Sequence, residues 1–235
     1  MPTRIIKIAN STNLRNNAMG RQFILPINNS RSEYSPHDFI FSNCNSVLQR
    51  ILSALPASAG VNPYPNITLL MGPKKSGKTH FAHVFIEASR ASWITPESNI
   101  ANLKGVYFIV DDIDNGFQEE DLFHLFNYIC ENNKIAIFTC TNLNCFKLLD
   151  LKSRLGSVRV FNIDEPDDIM IKSLLSKHLA GRSLHVSEDV IKFLVTRIPR
   201  SFESIFKSVD FIDKLSLEQK RNISVNFLSS LEFPF

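Results

Sequence analysis

The sequence predicts an α/β fold, a parallel sheet flanked by helices, followed by a small all-helical domain. Three observations predict it. Gly72-Pro73-Lys74-Lys75-Ser76-Gly77-Lys78-Thr79 fits G-x-x-x-x-G-K-[ST] without mismatch, between an apolar run and a helical pattern. Short apolar runs then alternate with segments of helical spacing as far as Ile163. From Pro166 onward the spacing is helical, broken at Gly181 and Pro199.

The first of these reads as a phosphate-binding loop. A chain of this length matches the pattern by accident with a probability on the order of one in a hundred, before strand and helix are demanded on either side. Gly72 and Gly77 allow a tight turn that points backbone N–H groups inward at a helix N-terminus, where the dipole favours anions. Lys78 is placed to carry charge to the β- and γ-phosphates, and the Thr79 hydroxyl to take one position on Mg²⁺. Pro73 and Ser76 complete the loop, whereas Lys74 and Lys75 read as solvated loop charges.

The 235 residues, 44% hydrophobic, are enough to bury a sizeable core. The longest apolar runs, such as Val106–Val110, are too short to cross a bilayer. Cys44, Cys130, Cys140 and Cys145 contain no C-x-x-C pair, which argues against a zinc ribbon or a disulfide framework and suits a reducing compartment. His80 and His83 share a helix face without a third ligand. A net charge of +3 does not announce a nucleic-acid surface.

Residues 1–32 carry no acid and scatter Arg4, Lys7, Arg15, Arg21 and Arg31 among polar residues, the pattern of a tail. An organelle transit peptide shares that composition, but the apolar residues here show little amphipathic order. Within the tail, Gln22-Phe23-Ile24-Leu25-Pro26-Ile27 is an apolar island. It reads equally as a strand tucked against its own domain and as an extended peptide for a partner's groove. Asn43 or Asn45 is expected to cap a helix bearing Val47, Leu48, Ile51, Leu52 and Leu55, which ends near Pro56. A loop to Pro65 precedes the strand Ile67–Met71, and Ser92–Ile94 reads as a short strand.

Val106–Val110 is a buried strand that ends in Asp111-Asp112. Ligands collect at the carboxyl ends of parallel strands, so Asp111 is expected to meet the metal held by Thr79, and Asp112 to polarise a water. Leu122 to Ile129 is helical. The strand Ile135–Phe138 runs into Thr139-Cys140-Thr141-Asn142, where Asn142, or less favourably Thr141, is placed to orient water. A helix around Leu151–Leu155 and a strand Val158–Ile163 follow. The terminal helices are Ile169–Leu179, Val186–Ile198 and Phe202–Leu215, and 216–235 reads as a last helix or a strand-like tail. The expected divisions are a tail at 1–32, a nucleotide-binding domain at 33–164 and a helical lid at 165–235.

These motifs together resemble the AAA+ ATPases, and in particular the replication initiator DnaA and its short regulatory homologues of the Hda type. The phrases that carry the resemblance are Leu70 through Phe81, Asp111-Asp112-Ile113, Leu151-Lys152-Ser153-Arg154 and Pro199-Arg200-Ser201-Phe202-Glu203. It implies ADP or ATP with Mg²⁺ as ligands, Arg154 as an arginine finger acting in trans, Arg200 as the lid's nucleotide-sensing arginine, and Asn142 at the first sensor position. The island at Gln22, Phe23, Leu25 and Pro26 looks like that family's peptide for the DNA polymerase III sliding clamp.

The implied role is to dock on the clamp and promote hydrolysis of DnaA-bound ATP, in the bacterial cytoplasm at the replisome. A homo-oligomer is compatible with that role. The chain stops after the lid, and only residues 91–105 separate the first helix from the acidic strand. Origin recognition and melting are therefore not expected, and DNA contact would be indirect or non-specific. A helicase loader, a P-loop kinase and a non-hydrolysing nucleotide-bound scaffold are the alternatives.

Overall fold

Five parallel strands in the order β2-β3-β4-β1-β5 form the centre of the molecule. They are β1 (Ile67–Met71), β2 (Ser92–Ile94), β3 (Tyr107–Val110), β4 (Ile135–Cys140) and β5 (Arg159–Asn162). The computed structural model describes residues 34–53, 64, 66–219 and 223–230. The Gln22–Ile27 island lies outside the described residues, as does most of the loop between 54 and 65.

Strands buried on both faces read as continuous apolar runs, and alternate residues serve opposite layers. Leu69, Phe108, Val110 and Phe138 pack with Phe126 of α3 (Glu119–Glu131) and Leu151 of α4 (Leu149–Ser157). Leu70, Ile109 and Ile137 face the other way, against Leu48 of α1 (Val47–Ser53) and Phe81 and Phe85 of α2 (Lys78–Ser89).

The lid comprises α5 (Asp168–Gly181), α6 (Glu188–Arg197), α7 (Phe202–Gln219) and α8 (Val225–Ser229). It has its own core of Ile171, Leu175, Val190, Leu194, Ile205 and Val209. The strand-like alternation of Ile223, Val225 and Phe227 gives way to helix because the Ser224 side chain accepts the Phe227 N–H and caps α8. Asn43 and Asn45, expected to cap the helix at Val47, themselves form a 3-10 turn (43–45) capped by Ser42, whose N–H donates to Asn45 Oδ1 at 2.8 Å. None of the described helices is long and apolar enough to cross a membrane.

Two joints fix the lid to the sheet. Met170 and Phe202 belong to the same buried cluster as Leu70 and Phe81. Asp167, which caps α5 by accepting the Met170 N–H at 2.8 Å, also accepts the Cys44 N–H at 3.2 Å. Those hydrogen bonds hold its carboxyl below the usual aspartate range against the opposing effect of burial, which is the largest single influence. Asp167→Ala is expected to cost about 2 kcal/mol, the sum of a lost cap and an orphaned N–H. Chemical denaturation of the full chain measures it, and a loss below about 0.5 kcal/mol would show the joint to be ornamental.

Candidate functional site

The phosphate loop connects β1 to α2, and its backbone is possible only with glycine at two positions. Gly77, at φ 92°, turns the chain into the first residue of α2. A Cβ on Gly72 would lie 2.9 Å from Ser76 Oγ and 3.0 Å from Ile163 Cβ, so the close approach of β5's end leaves no room for a side chain. The Gly72 N–H donates to the Cys140 carbonyl at 3.2 Å, which ties the loop to the end of β4.

Lys78 turns back into this loop. Its Nζ donates to the carbonyls of Gly72 (2.8 Å) and Pro73 (3.1 Å) and lies 3.4 Å from Thr141 Oγ1. The residue is 7% exposed, and burial lowers its pKa from the ordinary lysine value, against the pull of Asp112, Asp114 and Asp111. Thr79 Oγ1 donates to Asp111 Oδ2 at 2.7 Å. The structure therefore joins Lys78, Thr79 and Asp111, residues of two separate motifs, in one cluster.

The register of β3 on β4, with Val110 opposite Phe138, brings Thr139 alongside the acidic strand end. Thr139, fully buried, donates to Asp111 Oδ1 at 2.5 Å and accepts the Asp112 N–H at 2.8 Å. Asp112 has φ 54°, in the left-handed region that Asp tolerates better than most residues. Burial raises its carboxyl above the ordinary aspartate range, and the neighbouring Asp114 and Asp111 push in the same direction, while a hydrogen bond from Asn115 opposes them.

Sequence reasoning passed over Asp114. Its Oδ2 accepts the backbone N–H groups of Thr141 (2.9 Å) and Asn142 (3.2 Å), so it fastens the chain leaving β4 to the acidic strand. The only signal available was a third carboxylate in the run Asp-Asp-Ile-Asp. Asn142 itself is exposed, and its side chain accepts the Asn144 N–H at 2.8 Å to cap a short turn. Thr141 is the residue of this pair that reaches Lys78.

The two arginines lie apart from that cluster. Arg154 rests on α3: its guanidinium sits 4.6 Å from the Phe123 ring centre, and Nη1 donates to Asn127 Oδ1 at 2.5 Å. Arg200 Nη2 donates to Asp168 Oδ1 at 2.6 Å, with both side chains more than half exposed. Lys74 and Lys75 are exposed, but Lys75 is not simply solvated, since its Nζ lies 5.2 Å from the ring centre of Phe206 on α7. His80 Nε2 meets the Ser35 carbonyl at 2.8 Å, and His83 stacks on Tyr34. Among the described residues no group of three His, Cys, Asp or Glu is arranged to hold a metal by itself.

A polyphosphate suits these residues on two structural grounds. The cradle at Gly72 has no space for a Cβ, and the buried Ser76 Oγ beside it lacks a protein hydrogen-bond partner. The arrangement offers a buried cation and a hydroxyl–carboxylate pair, parts that suit phosphates and one Mg²⁺.

Comparison with known proteins agrees with this geometry. Residues 168–231 match the family of the Hda lid domain. An uncharacterized protein of Haemophilus influenzae is 27% identical over 183 residues, which span 69% of this chain and 79% of that protein. Domain III of the Thermotoga maritima replication initiation protein DnaA superposes with a TM-score of 0.60 at 17% identity, covering 86% of this chain and 95% of the domain. The replication initiator DnaA bound to AMPPCP and single-stranded DNA gives 0.57 at 18%, covering 81% of this chain and 68% of that one. At such identities the solved structures speak for the fold alone, and the lid match concerns residues 168–231. The chain therefore has the fold of DnaA's domain III and, at its C-terminal end, a match to the Hda lid domain.

Proposed function

We propose that this protein is a DnaA-related regulator of replication initiation that binds ADP or ATP with Mg²⁺. It docks on the sliding clamp through its N-terminal segment and promotes hydrolysis of DnaA-bound ATP. The observation that carries the proposal is the Hda lid match over residues 168–231, set beside a complete phosphate loop. The AMPPCP held by a DnaA of the same fold supports the choice of ligand.

In this reading Gly72–Thr79 hold the phosphates, with Lys78 supplying charge from a buried position and the N–H groups of the loop directed inward. Thr79 and Asp111 hold the Mg²⁺, which when bound neutralises charge on the phosphoryl oxygens. Asp112, with its raised pKa, and Asn142 flank the position of an attacking water. Arg200 lies on the lid to report the nucleotide's state. Arg154 serves DnaA's site rather than this chain's own, which accords with its place on the α3–α4 face. The division into tail, nucleotide domain and lid at 1–32, 33–164 and 165–235 belongs to the same proposal, with cytoplasmic action at the replisome.

The test is a pull-down on DNA-loaded clamp with the full chain. The intact protein is expected to be retained, and Gln22→Ala/Leu25→Ala to bind at least about tenfold more weakly, the usual consequence of removing two anchor side chains. Retention of a replicative helicase without any clamp would replace this proposal with helicase loading.

A further inference from the structure

The phosphate loop carries a lysine where its backbone asks for glycine. Lys75 has φ 65°, and an L-residue there sets its Cβ against the carbonyl oxygen of the chain, a conformation only glycine adopts freely. A loop that served only to wrap an anion would lose nothing with glycine at this position. The side chain that the left-handed backbone sends outward crosses to the lid, where Nζ lies 5.2 Å from the centre of the Phe206 ring.

Phe206 is itself held in place. Its ring meets His178 of α5 edge to face, with centroids 4.7 Å apart and planes at 62°. One turn earlier on α7, Phe202 is buried in the cluster that contains Leu70 and Phe81. The first turns of α7 are thus anchored to the sheet by Phe202 and to the tip of the loop by Phe206. Lys78, three residues after Lys75, turns the opposite way, into the loop.

We propose that Lys75 is a positioning residue for the lid: its ammonium, set over Phe206, ties α7 to the phosphate loop and passes the loop's conformation to the lid. The lid's response to nucleotide rests on the phosphate-binding role proposed above, whereas the tie itself does not. A phosphate entering the loop meets Lys78, and any change it makes in the loop's backbone displaces the Lys75 ammonium engaged with the lid ring. Loop and lid therefore rearrange together.

Hydrogen exchange on the full chain, without nucleotide and with saturating MgADP, tests both parts. Without nucleotide, Lys75→Gly is expected to speed exchange across residues 202–209 by about two- to fivefold, the worth of an exposed cation–π contact. Lys75→Arg keeps a cation on the ring and is expected to restore slow exchange. Phe206→Ala gives an increase of its own, and Lys75→Gly is expected to add nothing to it. If Lys75 were only a strained residue, glycine would relieve the strain and exchange would stay the same or slow, which overturns the tie. With MgADP, the change across residues 202–209 seen in the intact chain is expected to fall by at least half in Lys75→Gly. An equal change overturns the coupling. If ADP does not bind, the nucleotide reading fails, while the exchange comparison without it still decides the tie.

Discussion

Lys78→Ala is expected to lower affinity for MgADP and MgATP by roughly 10²-fold, the equivalent of about 3 kcal/mol for a lost charged hydrogen-bond donor. The reason is preorganisation. The ammonium is already fixed by the carbonyls of Gly72 and Pro73 at 2.8 and 3.1 Å, so binding a phosphate does not pay to order a free side chain. Its burial also places the charge where water screens it poorly.

The same burial gives the effect a pH signature. Burial lowers the pKa of Lys78 in the folded chain below its ordinary value of 10.5. Phosphate binding needs the protonated amine, so affinity is expected to hold at neutral pH and to fall at a lower alkaline pH than an ordinary lysine would give. Stability moves the other way. Between the lowered pKa and 10.5 the unfolded chain binds more protons, so the Lys78 contribution to stability rises with pH across that window. Lys78→Arg, which does not titrate there, is expected to lack both limbs. Calorimetric titration at pH 7 and in the alkaline range checks each point, and an alanine variant binding within threefold of the intact chain would remove Lys78 from the site.

Arg154→Ala is expected to reduce stimulation of DnaA's ATP hydrolysis by roughly 10³-fold, the lower end of what an arginine supplied to a neighbouring site contributes. Retention on the clamp and nucleotide affinity should stay within about twofold. Arg154 is a folded part of the α3–α4 face, with its guanidinium over Phe123 and bonded to Asn127. Leaving a partly buried ring costs about 0.5–1 kcal/mol, a small sum against the effect in a transition state. Arg154→Lys keeps the charge but loses the planar fork, and most of the stimulation should go with it. Asn127→Ala, which removes the resting partner and spares the guanidinium, should retain stimulation. Full stimulation by Arg154→Ala would show that the residue is a packing arginine and that the protein acts on its partner by other means.

Residue types and their spacing already determined the α/β class, the phosphate loop, the acidic strand end and the run of lid helices. Each of these is local: the loop is one contiguous motif, and a buried strand or an amphipathic helix declares itself over a few residues. Even the helix at Val225 was within reach, because its cap lies one residue before it. Tertiary structure alone decided what these pieces do to one another. Thr139 locks Asp111 across 28 residues, and Asp114 holds Thr141 and Asn142 across 27 and 28. Asp167 ties the lid to Cys44 across 123. Such pairs exist only once the parallel register sets β3 beside β4 and β4 beside β1, and no period in the chain encodes that register. For the same reason the lysine at position 75 reads in sequence as a solvated charge: its partner ring is on another domain, and only the packed lid brings the two within reach.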